Sequence, residues 1–353
     1  MSYFVVGYYA LLIGASCLAA YYKQRSAFLL LFTLTLVSFI VGIVGGVPAL
    51  SFITVAAAAL ALAAGTSYAF REFLIIIAPS GIAKELRTAP LTAAFGMFVI
   101  FTYAVAGIFA PVMAPYGESQ IIASAFAPAD ENMLLGADQL GRDIFSRLVY
   151  GTRNTVGLAL VATILAFVMG AVAGLFAATK GGWIDQIFGR TADVIMSVPS
   201  LIFALLMLSI FGTELWVIVI VVAIIYAPRV FRLTRAVAGN IVVMDYIEAA
   251  KLRGEGTGYL IRKEILPNST APLIAEFGLE FCFVFLLIAG LSFLGLGIQP
   301  PTADWGSMVR ENATLISFGD ITPLIPAAAI ALLTVAVNFV VDWMLYRSSG
   351  LKV

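Results

Sequence analysis

Long apolar runs separated by short polar breaks make up nearly the whole chain. Three open it, roughly Tyr3–Tyr22, Ala27–Val47 and Leu50–Phe70. After a mixed stretch at 71–89, six more follow. They run from Pro90 to about Ala110, over about Thr155–Ala178, through Pro199 to about Phe211, from Trp216 back to Arg229, over about Ala271–Gly297 and over about Pro323–Tyr346. The first three each match the ~20 residues that cross a hydrocarbon core as a helix. The pattern predicts an all-α, polytopic transmembrane protein with about nine membrane helices. Residues 1–70 form an N-terminal three-helix extension, 71–89 an interfacial elbow helix, and 90–353 a six-helix core. The core carries an extracytoplasmic segment at 116–151 and a cytoplasmic loop at 245–268.

Composition agrees. The chain is 62% apolar and only 11% charged, with a mean hydropathy of +1.04, far from the soluble globular range. Its net charge is zero, so nothing points to nucleic acid. There is no histidine, which removes the commonest metal ligand and the commonest general base. Cys17 and Cys282 both fall in apolar runs and suggest no disulfide framework. The first run lacks a basic flank and reads as a retained span rather than a signal peptide. No GxxxxGK[ST] phosphate loop occurs, so the chain is expected to be non-catalytic, without a cofactor of its own.

Charge sets an orientation. With the N-terminus outside and the C-terminus inside, sixteen of the 20 Lys and Arg residues fall on the cytoplasmic side. Only Arg142, Arg147, Arg153 and Arg310 fall outside, a strong bias by the positive-inside rule.

Asp245–Asn268 is a polar island between two apolar runs, too charged for hydrocarbon. Its start reads as a short helix with Asp245 at the N-terminal end, where the helix dipole favours an acid. Ala249 and Ala250 let another backbone or a partner's groove approach closely, and Gly254 is placed to end the helix. A second short helix over about Thr257–Glu264 is expected to stop at Pro267. On the other side, Asp138 and Asp143 beside Arg142 and Arg147 predict ion pairs one turn apart in a small amphipathic lid. Gly157, Gly170 and Gly174 offer close helix approach in the fifth span. Pro199 is either a hinge or an ordinary membrane proline. Arg229, Arg232 and Arg235 lie near one helix face. Glu276 and Glu280, one turn apart, either mark a functional site or pair with Arg232 or Arg235. Asp193 and Asp342 are the other acidic candidates in the membrane.

Glu248-Ala249-Ala250, Gly254 and Ile265-Leu266-Pro267-Asn268 together resemble the EAA loop of bacterial and archaeal ABC importer permeases, with the spacing of the dipeptide/oligopeptide (DppC/OppC-type) branch. Leu134–Asp143, with Gln139 and Gly141 inside it, is similar to the LLGTDQLGRD stretch of the same family, with Ala137 where threonine is common. Leu291–Gly297, Gln299-Pro300-Pro301 and Trp305-Gly306 match a third motif. The resemblance runs from about Lys84 to the C-terminus. Ile288 stands where the family often has an acid, which leaves any family rule about charge in the passage open.

The resemblance implies a permease subunit in a bacterial or archaeal plasma (inner) membrane. It would work with a second permease subunit, two ATPase subunits that hold ATP and Mg, and an external substrate-binding protein. Asp245, Tyr246, Glu248, Ala249, Ala250, Gly254, Leu266 and Pro267 would contact an ATPase, and Asp138, Gln139, Gly141, Arg142 and Asp143 would form the lid. The implied solute is a di- or oligopeptide; relatives carry nickel chelates, glutathione or oligosaccharides. An ion-coupled secondary transporter using Asp193, Glu276, Glu280 and Asp342 is the competing mechanism, and a non-transporting membrane scaffold a third.

Overall fold

The computed structural model describes residues 48–348 and six isolated positions before them, 12, 15, 27, 30, 31 and 34. Apart from those six positions, the first two expected spans lie outside the described residues. The chain divides into two compact units, Met1–Phe73 and Leu74–Val353.

Helix α1, Pro48–Ile77, covers the third expected span. It does not end at Phe70. Arg71 pairs with Glu72 at 3.0 Å and lies 4.9 Å over the Tyr68 ring, so its charge is accommodated on the helix itself. The elbow expected over 71–89 is thus only partly a separate element: α2, Ser80–Leu86, is seven residues long and follows a break at Ala78-Pro79.

The second unit holds the long helices α3 (Leu91–Ile108), α4 (Ile144–Lys180), α7 (Leu215–Val242), α9 (Thr257–Phe293) and α11 (Leu324–Ser348). Between them come α5 (Gly182–Met196), α6 (Ser200–Phe211), α8 (Asp245–Leu252) and α10 (Trp305–Asn312). Among the described residues, five helices are long and apolar enough to cross a membrane, or six with α5 and α6 taken as one broken span. Six is the number expected for 90–353, and the protein is a multi-pass helical membrane protein.

Prolines produced one surprise. Pro199 does mark a break, with α5 and α6 meeting at 86°. Pro267, by contrast, does not stop the second short helix, which runs on from Thr257 through Pro267 and Pro272 to Phe293. A π-helical turn over Leu260–Ile265 lies immediately before Pro267. A proline lacks an N–H and clashes with the carbonyl four residues back; a widened turn at that point relieves both demands.

Glycine brings α4 against α7. A Cβ on Gly170 would meet the Ala227 carbonyl at 2.4 Å, and one on Gly174 the Phe231 carbonyl at 2.8 Å. Gly157 has nothing within 4 Å and plays no such part. The core of the unit is apolar and aromatic: the Trp305 ring packs edge-on against Phe285 and Tyr103, with Leu208, Ile218 and Ile288 fully buried around it.

Candidate functional site

Helix α8 has two faces of opposite character. Ile247 and Ala250 point inward and are fully buried. They join Leu175 of α4, Ala238 of α7, and Leu260 and Ile265 of α9 in one apolar cluster. Asp245, Tyr246, Glu248, Ala249 and Leu252 are exposed on the other side. Ala250 is thus approached by the chain's own helices, which rules out the ATPase contact expected of it, while Ala249 stays open to a partner; adjacent helical residues face about 100° apart. Asp245 and Glu248 sit in the first turn, where the dipole favours acids, but Asp245 does not cap the helix through its side chain. Gly254 adopts φ +85°. Its N–H bonds the Lys251 carbonyl at 2.9 Å while the Glu255 N–H bonds the Ala250 carbonyl at 3.2 Å, a Schellman stop. Pro267 and Leu266 are exposed nearby, and the Asn268 Nδ2 donates to the Tyr246 hydroxyl at 3.4 Å.

At the opposite end of the helices the expected amphipathic lid is something else. Residues 134–143 form turns and isolated bridges rather than a helix, and Asp138, Arg142, Asp143 and Arg147 are all buried. Arg142 meets Asp138 at 2.7 Å and Glu311 of α10 at 3.0 Å. Arg147 reaches the same two carboxylates at 3.4 and 3.6 Å, the second inside ion-pair range but outside hydrogen-bond range. Asp143 forms no ion pair with an arginine among the described residues. It caps α4 instead, accepting from the Ser146 N–H at 2.8 Å and hydroxyl at 2.6 Å. Gly141 has φ +78°, and a Cβ there would strike the Ala123 carbonyl at 2.0 Å; Gln139 is exposed.

The same end contains groups that the pattern did not single out. Glu118 accepts from the Ala303 N–H at 2.7 Å and from Asn154 at 3.0 Å. Asp304, fully buried, caps α10 through the Ser307 N–H at 2.8 Å and accepts from the Thr155 hydroxyl at 2.8 Å. Burial pushes its carboxyl above the ordinary aspartate range, while its hydrogen bonds pull the other way. Together these contacts lock the 116–151 segment to the 299–312 segment.

The three arginines of α7 diverge. Arg232 pairs with Asp193 and Arg235 with Asp185, both on α5. Neither reaches Glu276 or Glu280, so the pairing expected for those glutamates does not form. Glu280 is buried with Oε2 unpartnered among the described residues, Glu276 is half-buried, and Asp342 is exposed on α11. Arg229 makes no salt bridge among the described residues. Its guanidinium lies 4.4 Å from the Phe283 ring centre and 5.8 Å from that of Tyr226. These three residues line a cavity of about 370 Å³ at the α5–α6 break. A larger, apolar cavity of about 830 Å³ lies among α3, α4, α9 and α11.

Residues 170–349, which contain α8, α9 with Pro267 and Pro272, and the α10 lock, match the family described as the binding-protein-dependent transport system inner membrane component. The chain belongs to that family. It is 34% identical over 261 residues to the dipeptide transport system permease protein DppC of Alkalihalophilus pseudofirmus, covering 73% of this chain and 85% of the relative. It is 34% identical to the di/tripeptide transport system permease protein DppC of Pseudomonas aeruginosa, covering 70% of this chain and 84% of that one. A putative peptide permease protein of Brucella ovis is 35% identical over 254 residues, covering 70% of this chain and 80% of the relative. The resemblance drawn from the EAA, LGADQLGRD and LSFLGLG stretches thus leads to the right family.

Proposed function

We propose that the chain is the permease subunit of an ABC importer for di- or oligopeptides, supplying half of the passage while partner ATPases supply the energy. The names of its relatives support the solute class. The observation that carries the coupling role is the construction of α8. Its buried face joins one apolar cluster with α4, α7 and α9, and its exposed face presents Tyr246, Glu248 and Ala249. A push on the exposed face is therefore transmitted to three membrane helices through packed side chains rather than through a loose loop.

In this reading Asp245, Tyr246, Glu248, Ala249, Gly254, Leu266 and Pro267 form or shape the knob that an ATPase grips. Ala250 seats it from within. ATP and Mg are held by two ATPase subunits, a second permease completes the passage, and an external substrate-binding protein delivers solute. The 245–268 loop faces the cytoplasm of a bacterial or archaeal cell, the N-terminus lies outside and the C-terminus inside. ATP-driven closure of the ATPases favours one of two helix arrangements and hydrolysis resets it. The chain itself performs no catalysis. Engagement of Asp193 by Arg232 and exposure of Asp342 leave an ion-coupled mechanism with only the Glu276–Glu280 pair.

The test is the reconstituted complex carrying Glu248→Arg or Gly254→Asp. Either change is expected to leave insertion and assembly intact while separating ATP hydrolysis from uptake. Wild-type uptake in both variants overturns the coupling role.

A further inference from the structure

Arg229 differs from its two neighbours on α7 in what it leaves available. Arg232 and Arg235 each spend their N–H donors on a carboxylate of α5. Arg229 donates to no protein acceptor among the described residues and rests against the Phe283 and Tyr226 rings. A guanidinium held by its face against an aromatic ring keeps its five N–H groups free around its edge, in the fork that matches a carboxylate. Tyr226 is itself fixed, its hydroxyl donating to the Phe283 carbonyl at 3.1 Å, so the aromatic seat is braced.

The cavity that Arg229 lines is about 370 Å³, within the range of small-ligand pockets, and Phe203, Ile225 and the broken backbone at Val198-Pro199 complete its wall. Glu276 and Glu280 lie on the same face of α9 as Phe283, at spacings of four and three residues. Neither lines the cavity and neither forms an ion pair with Arg229 among the described residues, so its donors stay unoccupied.

We infer that this cavity binds a small carboxylate-bearing solute in transit, with the solute's carboxylate on the Arg229 guanidinium. The inference rests on the peptide-importer reading for its choice of solute, since a short peptide carries a terminal carboxylate.

The test uses the full transporter, purified with its partner subunits, without the external receptor, in lipid nanodiscs. Glycylglycine, glycylglycine amide and propionate are compared by ligand-observed NMR. Wild type is expected to bind glycylglycine about tenfold or more tighter than the amide, as loss of a charge-assisted fork predicts. Arg229→Gln is expected to bring the ratio to about one, and Arg229→Lys to keep part of it because the charge remains without the fork. No preference in wild type, or a preference that survives in Arg229→Gln, overturns the site. Should the glutamine variant fail to assemble, the wild-type ratio and the lysine variant decide. Arg229-dependent binding of propionate without either peptide would keep the carboxylate site and refute the peptide reading; no binding of any probe refutes the site.

Discussion

Asp138 Oδ2 lies 2.7 Å from the Arg142 Nε and 3.4 Å from the Arg147 Nε, and all three side chains are at most 3% exposed. One carboxylate thus faces two buried guanidinium groups, with Glu311 closing the square from α10. Asp138 also accepts from the backbone N–H groups of Leu140 and Arg142, which shapes the turn that carries it. Its removal leaves two buried cations with one partner. Asp138→Ala is expected to destabilise the subunit by about 3–5 kcal/mol, the range seen when a buried pair loses one member. Thermal unfolding of the purified complex measures this, with exposed Gln139→Ala as the neighbour expected to change little.

Asp304 gives the protein a pH signature. Its folded carboxyl is held above the unfolded value by burial, so the folded state binds the proton more readily. Its contribution is fully present below the ordinary aspartate pKa and declines as pH rises from there toward the folded value. Asp304→Asn is expected to flatten that part of the stability–pH curve. It is also expected to cost about 1 kcal/mol, because the amide nitrogen cannot accept from Thr155 or Ser307. An unchanged slope in the variant contradicts the assignment.

The two faces of α8 separate structure from coupling. Ile247→Ala removes a fully buried side chain from the cluster with Leu260 and Ile265 and is expected to cost about 2–4 kcal/mol. Glu248→Ala, on the exposed face, is expected to stay within about 0.5 kcal/mol in stability. Under the proposed function the second variant loses solute-stimulated ATP hydrolysis and the first loses folded subunit. Paired measurements of melting temperature and ATPase stimulation distinguish them.

Close packing of α4 on α7 predicts a graded series. Gly170→Val and Gly174→Val drive a side chain into the backbone carbonyls of Ala227 and Phe231 and are expected to abolish a stable subunit. Gly157→Ala meets nothing within 4 Å and is expected to be neutral or slightly stabilising. Yield of monodisperse complex after detergent extraction reads the difference.

The spans from Leu91 onward and the α8 stop were legible because hydropathy and the φ requirement at Gly254 are local properties. The buried square was only half legible. Asp138, Arg142 and Arg147 lie close in sequence, but Glu311 lies 169 residues from Arg142 and no periodicity joins them. Asp143 was misjudged because charge alone does not say whether an aspartate meets an arginine or caps a helix; Ser146 three residues on was the clue. Pro267 was misjudged because the π turn that accommodates it is not signalled by residue type. The arginine partners come from α5, which falls in the break between two predicted spans, so hydropathy alone does not bring Asp193 and Asp185 opposite Arg232 and Arg235.

The sharp corner between α5 and α6 bears on what surrounds the subunit. Twelve residues of α6 rise only about 18 Å, against a hydrocarbon layer of about 30 Å. α6 alone is therefore too short to cross that layer. Peptide groups without helical partners are not tolerated against acyl chains, only against solvent or polypeptide. A bilayer arrangement that sets the corner's unpaired peptide groups at membrane depth against the fatty acids can therefore be discarded.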